Sequence, residues 1–176
     1  MVYYAERMGF AMFIASGWKD FEVLDTGNGE KLERWGEYLL ARPDPQVIWP
    51  CQNERQWQKA DAHYTRSERG GGSWDFRNKL PEKWIIHYHD LKFYVRPTGF
   101  KHTGLFPEQA VNWDWMAGLI RNAGRPIRVL NLFGYTGGAT LACAAAGAHV
   151  THVDAAKGMV QWAGENRKLA GIDETS

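Results

Sequence analysis

The chain has 176 residues, of which 44% are hydrophobic and 23% charged, a globular composition that excludes wholesale disorder. Its 21 basic and 20 acidic residues leave a net charge of +1, which excludes a bulk electrostatic attraction to nucleic acid. No apolar run approaches the ~20 residues of a membrane-spanning helix, and two cysteines, Cys51 and Cys143, are too few for a disulfide framework, so we expect a cytoplasmic protein.

Residues 1–100 are predicted to form a small β-rich region. It contains two predicted β-hairpins, each made of two β-rich runs around a short turn: residues 21–26 with 31–35, and residues 84–88 with 91–95. Prolines at 43, 45 and 50 indicate an extended connector between the hairpins. Gly70-Gly71-Gly72 indicates a flexible turn.

Residues 101–176 are predicted to alternate helices with strands. The elements in chain order are a helix from Pro107 to residue 123, a strand at residues 127–133, a helix at residues 139–146, a strand at residues 149–153 and a helix at residues 159–169. The first strand is nearly all apolar, which is typical of a strand buried on both faces of a parallel sheet. Thr136 is the predicted N-cap of the middle helix. The order predicts an α/β fold, the start of a Rossmann-like domain that follows the β-rich region.

A glycine-containing turn follows the first of these strands and carries the strongest functional signal. Gly134, Gly137 and Gly138 let the backbone turn sharply and let a ligand approach without a Cβ in the way. Asp154 comes 20 residues after Gly134, at the end of the next strand. A carboxylate there can accept hydrogen bonds from both hydroxyls of an adenosine ribose.

The ligand is predicted to carry adenosine without phosphates. A dinucleotide site has the pattern Gly-x-Gly-x-x-Gly, whereas this chain has Gly134-Tyr135-Thr136-Gly137-Gly138, with a bulky tyrosine where a pyrophosphate would approach. The Gly-Lys-Ser/Thr of a phosphate-binding loop is also absent. S-adenosyl-L-methionine is the common cofactor that fits this description.

Two segments resemble a known family. Residues 131–138, Asn-Leu-Phe-Gly-Tyr-Thr-Gly-Gly, and residues 100–109, Phe-Lys-His-Thr-Gly-Leu-Phe-Pro-Glu-Gln, resemble class I S-adenosylmethionine-dependent methyltransferases related to the bacterial 23S ribosomal RNA cytosine-C5 methyltransferases. The likeness covers residues 91–172. The chain has Glu108-Gln109-Ala110 where the cytosine-C5 enzymes have Asp-Gln-Arg. The resemblance implies a transferase that uses S-adenosylmethionine and acts on ribosomal RNA.

The resemblance also implies which residues hold the cofactor. Residues 133–137 would surround the methionine part, Asp154 would hold the ribose, and two residues of the upstream segment would line the same pocket. The predicted cofactor-binding residues are Phe106, Gln109, Asn131, Phe133, Gly134, Tyr135, Thr136, Gly137 and Asp154. The chain offers no residue that we assign as catalytic.

A locally basic stretch, residues 55–101, is the predicted RNA contact. It contains ten Lys or Arg against five Asp or Glu. Aromatic side chains that could stack on bases alternate with these cations: Trp57, Tyr64, Trp74, Trp84, Tyr88 and Tyr94. The alternative is that half of these aromatic residues form the core of the β-rich region. The family resemblance favours RNA.

Metal and thiol chemistry are both disfavoured by the sequence. His87 and His89 alternate and Cys51 could join them, but no further ligand has suitable spacing, so no metal site is predicted. Cys143 lies among alanines and is predicted to be a small buried apolar residue. Cys51 has no assignable base and is not predicted to be a nucleophile.

Two other functions remain open at the level of sequence. A nicotinamide-dependent oxidoreductase is disfavoured by the missing Gly-x-Gly, and a non-catalytic RNA-binding module would bind RNA without an adenosine ligand. Only two strands follow residue 100, and the Asp-Pro-Pro motif expected after the fourth strand of the resembled family is absent. We therefore expect an incomplete methyltransferase domain that holds its cofactor without turnover, and exposed strands that favour a homo-oligomer.

Overall fold

A computed structural model describes residues 14–67 and 70–173. The first part of the chain forms a five-stranded sheet with the strand order β1-β2-β3-β4-β5. Its strands are β1 (Phe21–Gly27), β2 (Glu30–Trp35), β3 (Tyr38–Pro43), β4 (Ala62–Arg66) and β5 (Gly72–Phe76). Neighbouring strands are antiparallel except β3 and β4, which are parallel. The connection between β3 and β4 includes the short helix α1 (Glu54–Trp57).

The predicted hairpin at the start of this sheet is confirmed as β1 and β2. Asn28 and Gly29 both have positive φ angles, 55° and 79°, as a two-residue turn between twisted antiparallel strands requires. The sequence did not reveal that β3 continues this meander or that β4 and β5 flank the triple-glycine turn. These strands depend on long-range pairing rather than on a strong local signal.

The second predicted hairpin is confirmed as β6 (Trp84–Tyr88) and β7 (Leu91–Val95). It lies between the five-stranded sheet and the helices that follow it. One cluster of buried residues includes Trp35 and Leu40 from the sheet, Phe93 from the hairpin, and Trp113 and Leu141 from the helices. The two halves of the described chain therefore share a hydrophobic core.

The last part of the described chain is an α/β unit. A 3-10 helix (Pro107–Gln109) leads into α2 (Ala110–Arg121), and the parallel strands β8 (Arg128–Leu132) and β9 (His149–Val153) follow with α3 (Gly138–Ala145) between them and α4 (Lys157–Leu169) after them. All five predicted elements are present within a few residues of their expected bounds. The strand–glycine turn–helix–strand order confirms the predicted Rossmann-like arrangement.

Two details of this unit differ from the predictions. The prediction that the first strand is buried on both faces is wrong, since Leu130 and Leu132 are 62% and 54% exposed. Among the described residues, β9 and α3 make the main contacts with that strand. The predicted N-cap is also wrong: Gly137 occupies the N-cap in a left-handed conformation, and the Thr136 hydroxyl donates to the Gly104 carbonyl instead. Residues 14–67 and 70–173 contain no helix long and apolar enough to cross a bilayer.

Candidate cofactor site

A cavity of about 470 Å³ lies beside the carboxyl end of β8. We call it the β8 cavity. One wall is the turn between β8 and α3, residues 133–137, which we call the glycine loop, and the opposite wall is the 3-10 helix with the first turns of α2. Seven of the nine predicted cofactor-binding residues line this cavity: Phe106, Gln109, Asn131, Phe133, Gly134, Tyr135 and Thr136. Folding therefore brings the two quoted sequence segments together around one space.

The glycine loop has an unusual backbone. Phe133 and Tyr135 have positive φ angles of 54° and 52°, and Gly137 has one of 93°. A bulky residue in this region is strained by roughly 1–3 kcal/mol, and such strain is concentrated at ligand-binding sites. The backbone turns leave the Phe133 side chain 91% exposed beside the cavity, while the ring of Tyr135 lies 5.2 Å from that of Phe106.

Asp154 fastens the glycine loop from the neighbouring strand end. Its Oδ2 accepts a hydrogen bond from the Tyr135 backbone N–H at 2.9 Å, and its Oδ1 accepts one from the Ala156 N–H at 2.9 Å. These two backbone donors lower the pKa of the Asp154 carboxyl, so the group is ionised at neutral pH. Each carboxylate oxygen keeps a further lone pair, which a ligand hydroxyl can use. Asp154 and Gly137 are the two predicted residues that do not line the β8 cavity.

A polar chain lies beneath the glycine loop. The Asn131 side-chain amide donates to the Thr140 hydroxyl at 2.8 Å, and that hydroxyl lies 2.8 Å from Nδ1 of His152. Burial lowers the pKa of His152, so the neutral imidazole accepts the Thr140 hydroxyl proton at Nδ1. The ring lies directly against Gly134, where an added Cβ would come within 2.4 Å of His152 Cε1. The glycine is required here because of close packing, and His152 was not predicted from the sequence.

Buried hydrogen bonds also tie the glycine loop to the β6–β7 hairpin. Asn166 of α4 is fully buried, donates to the Thr136 carbonyl at 2.9 Å and accepts from the Tyr94 N–H at 2.8 Å. Trp162, one turn earlier, donates to the Tyr94 carbonyl at 3.1 Å. Together with the hydrogen bond from the Thr136 hydroxyl to the Gly104 carbonyl, these contacts hold the loop from two sides.

Helix α2 contributes residues to the cavity that the sequence interpretation missed. Asn112, Trp113 and Met116 line it together with Gln109, whose Oε1 accepts from the Asn112 amide at 2.9 Å. Positions 109, 112, 113 and 116 recur at helical spacing, so they lie on one face of the helix. That periodicity was the signal available in the sequence.

The aromatic residues of the basic stretch divide into two groups. Tyr64, Trp84 and Tyr88 are buried in the core with at most 9% exposure, so the prediction that they stack on RNA is wrong. Trp57, Trp74 and Tyr94 are half-buried, and the two indole N–H groups donate to Asp25 and to the Thr98 carbonyl. The alternative weighed from the sequence, that half of these rings are core, describes the structure.

The cations of the stretch are also unequal. Lys83 pairs with Glu165 at 2.9 Å, and the Arg96 guanidinium stacks over the Trp162 ring. Lys101 instead lines a separate cleft, and Arg69 lies outside the described residues. The basic stretch is therefore spread over different surfaces.

The described residues hold no group of three or more His, Cys, Asp or Glu side chains that could bind a metal ion. His87 pairs with Asp20 at 2.7 Å, and His89 lies in the turn after β6. Cys143 is buried, and burial raises the pKa of its thiol, so the thiol stays protonated. Cys51 packs against Gly27, at the edge of another cavity.

The β8 cavity has the chemistry that an adenosine-containing sulfonium needs. Aromatic rings of Phe106, Phe133 and Tyr135 offer apolar and π surface, and the ionised Asp154 at the adjacent strand end offers hydroxyl acceptors. The lining includes the acidic Glu108, which would repel a pyrophosphate, and the bulky Tyr135 stands in the turn where a dinucleotide site has small residues. The residues present therefore fit S-adenosylmethionine better than a dinucleotide.

Comparisons with known proteins agree with this chemistry. The S-adenosylmethionine-dependent methyltransferase family model matches residues 54–176, more than half of the chain. A solved S-adenosylmethionine-dependent methyltransferase from Agrobacterium tumefaciens is 48% identical and superposes with a TM-score of 0.86 over 90% of this chain and 51% of its own.

Two curated relatives are named ribosomal RNA large subunit methyltransferase K/L. The Magnetococcus marinus protein is 35% identical over 108 residues, 61% of this chain and 14% of its own length. The protein of a Shewanella strain is 38% identical over 143 residues, 79% of this chain and 18% of its own length. The chain thus spans less than a fifth of the length of these relatives. The family model that matches most of the chain shows that it belongs to the S-adenosylmethionine-dependent methyltransferases.

Proposed function

We propose that this chain binds S-adenosylmethionine in the β8 cavity and serves a methyltransferase that acts on RNA, with ribosomal RNA as the substrate class. The observation that carries the cofactor site is the convergence of two distant sequence segments, residues 100–109 and 131–138, on one cavity. The substrate class is supported by the relatives named ribosomal RNA methyltransferases and by the sequence resemblance.

The residues around the cavity have distinct proposed roles. Asp154 holds the ribose hydroxyls, because its carboxylate is ionised and still has free lone pairs. Residues 133–137 surround the methionine part, and Phe106, Gln109 and Asn131 complete the wall. S-adenosylmethionine supplies an activated methyl group, and the protein places that group in line with a substrate atom.

We further propose that the composition change near residue 100 separates two roles. Residues 101–176 supply the cofactor site, and residues 1–100 include surfaces that contact RNA. The β8 cavity supports the first of these roles, since all of its lining residues lie between 105 and 139. A nicotinamide-dependent oxidoreductase is disfavoured because the glycine loop lacks the Gly-x-Gly that receives a pyrophosphate and because the acidic Glu108 lines the cavity.

Calorimetric titration of the 176-residue chain with S-adenosylhomocysteine and with NADH tests the cofactor. We expect S-adenosylhomocysteine alone to bind, and Asp154→Ala to weaken it at least about tenfold through the loss of charge-assisted hydrogen bonds. Asp90→Ala, at an exposed turn, is the matched control and leaves the affinity unchanged. Binding of NADH instead, or equal affinities of both variants, contradicts the proposed site.

A further inference from the structure

A second cavity of about 410 Å³ opens between the five-stranded sheet and the segment that precedes α2. We call it the basic cleft. It shares Leu105, Phe106 and Glu108 with the β8 cavity, so the two spaces meet along this segment. The Phe106 ring, 37% exposed, lies 5.2 Å from the ring of Tyr135 and 5.3 Å from that of His102, which places it at the junction.

Basic side chains dominate the polar lining of this cleft. Lys31, Arg42 and Lys101 line it, with Glu33 and Glu108 as the acidic members. Glu33 is 1% exposed and forms an ion pair with Arg42, whose Nη2 and Nε both donate to Oε2 of Glu33, at 2.6 and 2.7 Å. This buried pair is part of the sheet and leaves neither group free for a ligand.

Lys101 has a different environment. Its ammonium reaches only the Pro43 carbonyl, at 3.4 Å, and no carboxylate of the described residues lies within 4 Å of it. The Lys31 ammonium lies 3.3 Å from Oε1 of Glu33, whose other oxygen is paired with Arg42, and 3.8 Å from Oδ2 of Asp44. Lys101 is therefore the cation of the cleft that has no paired carboxylate among the described residues, whereas Lys31 is shared between Glu33 and Asp44.

The burial of the cleft and its cations also affect the titrating groups that line it. Burial, followed by the charges of Arg66 and Lys31, lowers the pKa of Lys101, and Asp44 only partly opposes this. Burial and the neighbouring cations likewise lower the pKa of His102, so that imidazole is neutral. A bound anion would relieve the repulsion among these cations.

The rest of the lining is apolar and partly aromatic. Trp18, Phe21 and Val23 form one side, and Val23 is 46% exposed. Phe106 closes the side next to the β8 cavity. Apolar and aromatic side chains beside a lysine without a paired carboxylate are a combination that single-stranded nucleic acid uses, because bases stack while phosphates meet the cation.

We propose that the basic cleft binds a nucleotide of the RNA substrate next to the one that receives the methyl group, with its phosphate at Lys101 and its base against Val23 and Phe106. This inference rests on the proposed function, since it places the RNA beside the cofactor site. An acidic protein segment is the competing occupant. The basic cleft is distinct from the proposed ribose site, because neither Asp154 nor any residue of the glycine loop lines it.

The test uses Lys101→Gln and Val23→Glu in the 176-residue chain, with Lys168→Gln on the exposed end of α4 as the control. Fluorescence anisotropy with a labelled single-stranded RNA, repeated over a salt series, gives affinity and salt dependence. We expect both cleft variants to bind RNA about fivefold or more weakly. Lys101→Gln should also reduce the slope of log affinity against log salt by about 0.7, the value of one lost phosphate contact on a single strand. Thermal unfolding and S-adenosylhomocysteine titration should match the wild type in all three variants.

The possible failures are distinguishable. If wild type binds RNA and S-adenosylhomocysteine, and Lys101→Gln retains the RNA affinity and the salt slope of Lys168→Gln, the cleft proposal is overturned and the proposed function stands. If wild type binds S-adenosylhomocysteine but no RNA, both the cleft proposal and the RNA substrate are overturned. Lys101-dependent binding of polyglutamate in preference to RNA assigns the cleft to an acidic protein segment and also overturns it.

Discussion

Replacing Gly134 with alanine should disturb the cofactor site through His152 rather than through backbone strain. Gly134 lacks the positive φ angle of its loop neighbours, so alanine can adopt its backbone conformation. The obstacle is steric. An added Cβ would meet His152 Cε1 at 2.4 Å and Nδ1 at 2.5 Å, well inside van der Waals contact, and Thr140 holds that ring by a hydrogen bond.

The magnitude follows from the cost of inserting a methyl group into a packed site. Such overpacking typically costs about 1–3 kcal/mol, and part of it should appear as displacement of the glycine loop. We therefore expect the free energy of unfolding to fall by about that amount. We also expect the dissociation constant of S-adenosylhomocysteine to rise about tenfold, which corresponds to about 1.4 kcal/mol.

Urea unfolding and calorimetric titration of a double-mutant cycle test this mechanism. In the His152→Ala background the methyl group has space, so Gly134→Ala should cause almost no further loss of unfolding free energy or of S-adenosylhomocysteine affinity. Gly164→Ala, at an α4 position where a Cβ meets nothing within 4 Å, is the control and should be neutral or slightly stabilising. An equal cost of Gly134→Ala with and without the His152 ring would refute the steric explanation.

Three further predictions concern stability, pH dependence and association. Asn166→Ala removes the buried side chain between β7 and the glycine loop, so the free energy of unfolding measured by urea titration should fall by about 2–3 kcal/mol. The exposed control Lys168→Ala should lower it by less than about 0.5 kcal/mol, and similar losses for the two variants would contradict this prediction. Burial lowers the pKa of His152 below its ordinary value of 6.5, so the unfolded chain binds the proton first. Stability should therefore fall as the pH drops from about 7.5 to about 5.5, and a pH series in which His152→Asn falls as steeply as wild type would count against this group. Leu132 is 54% exposed on β8, so sedimentation should show self-association that Leu132→Glu reduces; a monomeric wild type would contradict it.

The sequence predicted best the features that depend on neighbouring residues. The Asn28-Gly29 turn specified its hairpin because both positions accept positive φ, and the turn after β8 was recognisable from glycines that no other residue replaces easily. Seven of the nine residues that the family resemblance implied line the β8 cavity, because they lie in two short motifs, whereas Asn112, Trp113 and Met116 were missed. These features need little information about the rest of the fold.

Features that depend on distant partners were not predictable in this way. The parallel pairing of β3 with β4 joins segments about twenty residues apart, and neither has a distinctive periodicity. Thr136 looked like a helix cap, but its hydroxyl has a competing acceptor at Gly104, 32 residues away. His152 had no recognisable role until folding placed its ring against Gly134.

The contacts of the glycine loop show how the β-rich part of the chain bears on the cofactor site. Asn166 can hold the Thr136 carbonyl in place because its own oxygen is fixed by the Tyr94 N–H of β7. Trp113, which packs against Gly138 at the start of α3, is in turn packed against Phe93 and Trp18. The strained backbone at residues 133–137 is stable only because these surrounding contacts hold it in place. The positioning of the glycine loop therefore depends on residues from both sides of the change in composition near residue 100.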